Sequence, residues 1–415
     1  MRKALLAAGA LVLFAAVLLA IFVGVRYREG QDVRGSSTEE FVATEAEPEP
    51  VEPEQPGVYW PTFRYDPERH GVSPYVHRPP FEVRWDFRAR TLVEFPPAIG
   101  YGRLYFTNNY GRLYAVNAKT GKRAWRKDSG RCVASTPAVW QHLVIQTYLN
   151  ARPCNRGNQK GLRGLVIARY AGFGQFAWQA RIAPSESSPV VVDGIVYLGD
   201  WSGRVYALHA RTGRLKWSFR TGDKVKGSVA ISGNRVYVGS YDHRVYALSR
   251  QTGKLLWRSS AQRRLGNRGQ FYSSPAVGYG RVYIGATDGK VYSFGATTGK
   301  LIWSRSTGNY VYGSPALWRR TVYVGSYSRW FYALDAATGD VRWRFRANGP
   351  ISGSATIVGG IVYFSTLRER TYGLDARTGK VVWQFADGKY TPVVADEERL
   401  YLTGYYKVYA LDPRR

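Results

Sequence analysis

The chain has 415 residues, enough to bury a large core or to form two or three ordinary domains. Its formal charge is +29, and from residue 57 onward 54 basic residues face 21 acidic ones. Such a field favours anionic surfaces (lipid headgroups, cell-wall polymers, nucleic acid) without choosing among them. Two cysteines, Cys132 and Cys154, exclude a disulfide scaffold and match no metal-ligand spacing.

Residues 1–28 read as a signal anchor. MRK precedes an apolar run over about residues 4–25 with no charged side chain, which as a helix is about 33 Å long and can cross one bilayer. The run is longer than a secretory signal core, ends without a small-x-small site, and no Cys follows it to carry a lipid. Arg2 and Lys3 favour a cytoplasmic N-terminus, which places the rest of a single-pass protein on the extracytoplasmic side. A cleaved, secreted form is the alternative. Residues 29–56 are acidic and Pro-rich, too poor in apolar side chains to offset their ordering entropy, and predict a disordered tether.

Beyond residue 80 one phrase recurs: YAVNAKTGKRAW (114–125), YALHARTGRLKW (206–217), YALSRQTGKLLW (246–257), YSFGATTGKLIW (292–303), YALDAATGDVRW (332–343) and YGLDARTGKVVW (372–383). Its tryptophans are Trp85, Trp125, Trp178, Trp217, Trp257, Trp303, Trp343 and Trp383, spaced 40, 53, 39, 40, 46, 40 and 40 apart. Each unit holds a small-residue run, two alternating strands with Gly turns, a TG turn and a Trp strand, so it is a small antiparallel sheet that needs neighbours. Radial packing of such sheets is a β-propeller. The last unit stops before any Trp and FEVRWDF (81–87) has no strands before it. Pairing the two closes an eighth blade and leaves no open edge. The prediction is an all-β, eight-bladed propeller of four-stranded antiparallel blades over residues 57–415, preceded by one transmembrane helix and a linker.

In YALDAATGDVRW the turn glycine, Gly339, takes positive φ without steric cost, and the Trp packs on the neighbouring blade. The Asp position reads Asn117, Tyr170, His209, Ser249, Gly295, Asp335, Asp375 and Asp412 around the ring. A catalytic carboxylate would not exchange with Gly and His, whereas a turn cap tolerates variation. The phrase is structural.

The pattern Ala-Leu-Asp-x-x-Thr-Gly-x-x-x-Trp resembles the tryptophan-docking motif of the pyrroloquinoline-quinone (PQQ)-like β-propellers, and WPTFRYDPERHGVSP (60–74) resembles the segment that precedes their first blade. The resemblance covers residues 57–415 and implies the fold. The family includes quinoprotein dehydrogenases as well as cofactor-free scaffolds such as the BamB-like outer-membrane assembly lipoproteins. In the dehydrogenases a Trp and a disulfide of adjacent cysteines hold PQQ beside calcium. Here the cysteines are 22 positions apart and no Asn-Asp partner set accompanies Glu94 and Glu186, so PQQ with calcium is disfavoured and no catalytic, cofactor or metal residue is assigned. No nucleophile-base, phosphate-loop or zinc signature appears elsewhere.

Propeller geometry sorts turns onto two faces. The TG turns carry Lys119, Lys122, Arg211, Arg214, Lys254, Lys300, Arg377 and Lys380, a basic ring on one face. The second-to-third-strand turns on the other face carry Trp201, Tyr241, Tyr327, Arg329, Trp330, Arg368 and Arg370, residue types that dominate protein interfaces. Both irregular insertions, 149–164 and 259–271, fall on that face, and a candidate Cys132–Cys154 bridge would pin the first, stabilising by about 3 kcal/mol in the loop-entropy model. The inner strands open with Glu94, Glu186, Lys226, Tyr272, Tyr312 and Lys389, which predict a polar channel mouth. The expected function is non-catalytic binding of an envelope protein or an anionic cell-envelope polymer by a monomeric, membrane-tethered propeller. The alternatives are a PQQ-dependent oxidoreductase and binding of a polyanion or nucleic acid through the basic surface, although specific nucleic-acid binding is disfavoured for want of a recognisable module.

Overall fold

The computed structural model describes residues 2–43, 56–154, 163–263, 266 and 268–414. Residues 44–55 of the expected tether and 155–162 of the first insertion lie outside the described residues. One helix, Arg2–Glu29, precedes eight antiparallel sheets arranged as blades. Seven blades follow chain order, including the irregular second unit (Ala138–Trp140, Leu143–Tyr148, Gly164–Tyr170, Phe176–Ile182). The eighth combines Val393–Ala395, Leu400–Thr403 and Lys407–Pro413 with Phe81–Arg88, register Trp85 to Ala410, so the ring closes between the two ends of the propeller.

Middle strands are packed on both sides by adjacent blades and are buried throughout, as in Thr321–Gly325, whereas outer strands such as Val341–Arg346 alternate towards solvent. The tryptophans join the blades. Trp85, Trp125, Trp178, Trp217, Trp257, Trp303 and Trp343 each donate Nε1–H to a carbonyl of the next blade at 2.8–3.1 Å. The turn glycine of that next blade lies under the ring: Gly339 has φ 75°, and a Cβ there would lie 2.8 Å from the Trp303 indole. Gly339 is therefore required both for its left-handed backbone and for this close approach. Trp383 faces the blade that holds the chain junction, where Phe81 takes the glycine's place at 5.6 Å.

The small-residue runs have a second purpose. Thr136, Ser188, Ser228, Ser274, Ser314 and Ser354 each donate backbone N–H to the hydroxyl of the equivalent Ser or Thr one blade on, at 2.8–3.2 Å, ending at Thr391. These hydroxyls form a girdle around the channel that satisfies buried inner-strand donors.

Residues 57–77 visit all eight blades. Val58–Trp60 adds a fifth strand to the first blade. The carbonyls of Pro61, Pro67, Glu68, His70 and Gly71 accept from Val139, Ile231, Val277, Leu317 and Ile357 on the second, fourth, fifth, sixth and seventh blades, at 2.7–2.9 Å. Thr62 Oγ1 donates to Pro189 O of the third (2.7 Å), and buried His77 bonds Asp396 O of the eighth (2.7 Å). At the axis lie Arg64 and Arg69, 2% and 0% exposed. Arg64 donates to the carbonyls of Arg69, His70, Ala355 and Pro315; Arg69 donates to Val229 O, Ser188 O, Phe63 O and Thr62 Oγ1. Burial pushes both guanidiniums down to about 9, with nearby Asp66 opposing, so they remain charged at neutral pH. The segment plugs the half of the channel nearer the TG turns.

The expectation of a disordered tether over 29–56 does not hold for residues 30–43, which lie along the fifth blade. Val33 bridges Ser304 antiparallel, and Asp32 accepts from Ser306 N (2.9 Å) and Oγ (2.6 Å). Low apolar content did not prevent ordering because backbone groups and carboxylates make most of the contacts, with Phe41 packed against the core.

Candidate functional site

Two faces result from the antiparallel topology: a turn face with the TG turns, closed by the plug, and a funnel face with the second-to-third turns. On the funnel face the inner-strand openings converge as expected. Glu94, Glu186, Lys226, Tyr272, Tyr312 and Ser352 line one cavity of about 60 Å³, with Phe63 of the plug as its floor. Tyr390 lines it too, whereas Lys389 turns outwards over the Tyr405 ring (4.4 Å) and faces Glu369 at 3.8 Å. Lys389 and Tyr390 lie ahead of the inner strand Val393–Ala395, and of the two only Tyr390 enters the lining.

Within the mouth Glu186 pairs with Lys226 (3.3 Å) and accepts from Tyr272 Oη (3.0 Å). The Lys226 ammonium lies 4.8 Å from the Trp201 ring, 5.5 Å from Tyr241 and 5.3 Å from Tyr272, so three aromatic faces and one carboxylate hold it. Trp201 and Tyr241, expected as interface residues, are thereby joined to the funnel. The aromatic wall continues from Tyr272 to Tyr312 (4.9 Å) and Tyr327 (5.0 Å), whose hydroxyl donates to Ser352 Oγ at 3.1 Å. Tyr310, not anticipated, stacks on Tyr312 at 5.5 Å and is 42% exposed.

Glu94 differs from Glu186. Among the described residues it has no hydrogen-bond partner. Burial, reinforced by the neighbouring Glu186 charge and opposed by Lys226, pushes its carboxyl up to about 7. The mouth thus offers an uncommitted carboxyl beside an aromatic wall, able to take a cation or a hydrogen-bond donor. Burial and the Glu186 charge likewise push the Tyr272 hydroxyl well above its ordinary range.

The other expected interface residues do not join this cluster. The guanidiniums of Arg344 (4.5 Å) and Arg346 (5.7 Å) lie over the Trp330 ring. Arg329 is exposed with φ 70°, Arg370 bonds Gln384 at 3.0 Å, and exposed Arg368 packs against Gly349. Cys132 and Cys154 are bridged, with Cα atoms 5.5 Å apart, and fix the start of the first insertion at the rim of the second blade. No group of three or more His, Cys, Asp or Glu that could hold a metal occurs among the described residues. On the turn face the basic ring is exposed, with Lys300 paired to Glu39 at 2.8 Å.

The family model described as "Outer membrane protein assembly factor BamB" matches residues 82–159, 162–310 and 289–415. The chain belongs to this family. Among curated relatives, the BamB of Moranella endobia (strain PCIT) is 30% identical over 127 residues, 29% of this chain and 31% of that one. The quinohemoprotein alcohol dehydrogenase of Comamonas testosteroni is 34% identical over 162 residues, 36% of this chain and 22% of that one. The chain therefore spans less than a third of either relative's length in alignment. Among solved structures, BamB from Moraxella catarrhalis superposes with TM-score 0.65 at 16% identity, covering 80% of this chain and 100% of that one. A europium-containing methanol dehydrogenase superposes at 0.71 with 14% identity, covering 86% and 98%. At these identities the two structures share the fold of the family with this chain, and nothing further follows from them.

Proposed function

We propose that this protein is a membrane-anchored extracytoplasmic propeller that binds a protein partner at its funnel mouth and performs no catalysis. The observation that carries the reading is the mouth itself, a shallow aromatic-walled recess with a closed floor and one uncommitted carboxyl, Glu94. Such a recess suits a protruding Lys, Arg or amide group of a partner surface, with Trp201, Tyr241 and Tyr327 as flanking anchors. The match to a family described as an assembly factor supports a protein partner, and an apolar helix long enough to cross a membrane supports the anchor.

The dehydrogenase relatives suggest the second reading, a PQQ-dependent oxidoreductase. A recess of about 60 Å³ is small against the several hundred Å³ of a ligand pocket. Lys226 and Tyr272 line the mouth, its only two carboxylates among the described residues are Glu94 and Glu186, and the disulfide lies at the second blade's rim. These residues do not fit the quinone and its ion. Titration of the full-length protein with PQQ and calcium, followed by absorbance and dye reduction, tests the choice. The expected result is no saturable change, and cofactor-dependent dye reduction would overturn the non-catalytic reading.

A further inference from the structure

The residues after the helix form a strap along the fifth blade. At its start, Lys290 Nζ donates to Gly30 O (2.7 Å) and Gln31 O (3.0 Å) and pairs with Asp32 (3.2 Å). Gln262 Nε2 donates to Glu29 O (3.1 Å) and Gln31 O (2.9 Å). Lys290 follows a second-to-third-strand turn and Gln262 lies in a crossing, so this pin is on the funnel-face rim of the fifth blade. The strap then descends to the turn face: Arg34 pairs with Asp340 (2.8 Å), Gly35 N donates to Thr338 O (3.0 Å), and Arg281 Nη2 donates to Ser36 O and Glu39 O (2.5 Å each).

The strap ends in a contact that explains an anomaly in the repeat. Asn117, Asp335 and Asp375 cap their own TG turns; Asp335 Oδ1, for example, accepts from Ala337 N and Thr338 N at 2.9 Å. The fifth blade has Gly295 there, and the Glu40 carboxylate supplies the cap, accepting from Thr297 N (3.1 Å) and Thr298 Oγ1. A Cβ at position 295 would collide with that carboxylate. Phe41 then stacks on Tyr279 at 5.7 Å under the Arg281 guanidinium, and Val42 N donates to Tyr279 O (3.1 Å).

Between the apolar run ending at Val25 and the pin at Gly30 lie only Arg26–Glu29, about one helical turn or ~6 Å. If the helix spans a bilayer, the pinned rim sits at headgroup depth. Around it are Tyr310, exposed Arg263 and Arg329, and Trp330 with Arg344 and Arg346 over its ring. Aromatic and cationic side chains together are what a headgroup-level surface of anionic lipid accepts.

We infer that the strap holds the fifth- and sixth-blade edge of the funnel face against anionic phospholipid headgroups, with the basic TG-turn face directed away from the bilayer. The inference rests on the anchored reading proposed above. It presents the funnel mouth to a partner at the membrane surface.

The test uses the full chain in liposomes containing brominated lipid, with phosphatidylglycerol varied against phosphatidylcholine. Its two native cysteines are bridged, so a bimane label can be placed at Asn309→Cys on the pinned rim or at Gln251→Cys on the turn face. Quenching is expected to be several-fold greater at position 309 than at 251. It should rise with phosphatidylglycerol in the parent and not in R344Q/R346Q. In D32A/E40A/Q262A/K290A, which removes the side chains that fasten both ends of the strap, the two labels should converge while flotation is retained. Equal quenching in the parent, stronger quenching at 251, or an unchanged difference in D32A/E40A/Q262A/K290A would overturn the inference. Loss of flotation in the parent would instead remove the anchored reading on which it stands.

Discussion

Glu94 and Glu186 occupy equivalent positions on two inner strands, yet only Glu186 has Lys226 and Tyr272 to hold its charge. The folded state raises the Glu94 carboxyl from 4.5 to about 7, so it binds a proton more tightly than the unfolded chain does. Stability from this group is therefore full below about pH 4.5 and is lost as pH rises through 7. Glu94→Gln, neutral at every pH, should match the parent at pH 4 and exceed it at pH 8 by on the order of 1–3 kcal/mol in urea unfolding. A difference independent of pH would contradict this account of the funnel. Gly339 gives a second test. Gly339→Ala should lose about 2 kcal/mol or more, because alanine disfavours the left-handed backbone and its methyl meets the Trp303 ring. Both positions were legible in the sequence, Gly339 by repetition and Glu94 by its place at an inner-strand opening. The pairing of Glu186 with Lys226 was not, because neither the wall residues nor their rotamers repeat.

Among the elements, the blades are legible in the sequence because seven supply the same Trp and turn glycine and the eighth is completed by Trp85, and so are both insertions. The plug was recognised only as a segment like those that precede the first blade. Its partners are mostly backbone N–H and C=O groups, which other residue types carry alike, so nothing in the inner strands signals where Arg64 and Arg69 go. Arg69→Met should cost about 3–5 kcal/mol, since it leaves four buried acceptors without their donor. A loss below 1 kcal/mol would mean that the plug is not what holds the inner strands together. The strap is not legible for a related reason: its composition resembles the acidic stretch that follows it, and Gly295 does not by itself point to Glu40 as the cap of its turn. The Cys132–Cys154 bridge closes a loop with a separation of 22 residues. Replacing both cysteines by serine should cost about 3 kcal/mol, read from urea unfolding of the two proteins.

At the scale of the whole molecule, the plug and the strap make the two faces unequal. The turn face is closed and basic; the funnel face carries the open mouth, the bridged insertion and the junction with the helix. A partner recognised at the mouth should contact Trp201 and Tyr241, which flank Lys226 at the third- and fourth-blade side, away from the pinned rim. The sequence placed these residues on the correct face but not in one cluster with Glu186, because blades that are adjacent in space lie about forty positions apart along the chain. The most direct measurement is photocrosslinking in intact cells with a photoreactive amino acid at Tyr241 or, separately, at Arg377 on the turn face. A discrete protein adduct from position 241 that disappears when Glu94 and Trp201 are changed to Ala, with none from position 377, is the predicted result. Adducts from position 377 alone, or from both positions regardless of Glu94 and Trp201, would contradict recognition at the funnel mouth.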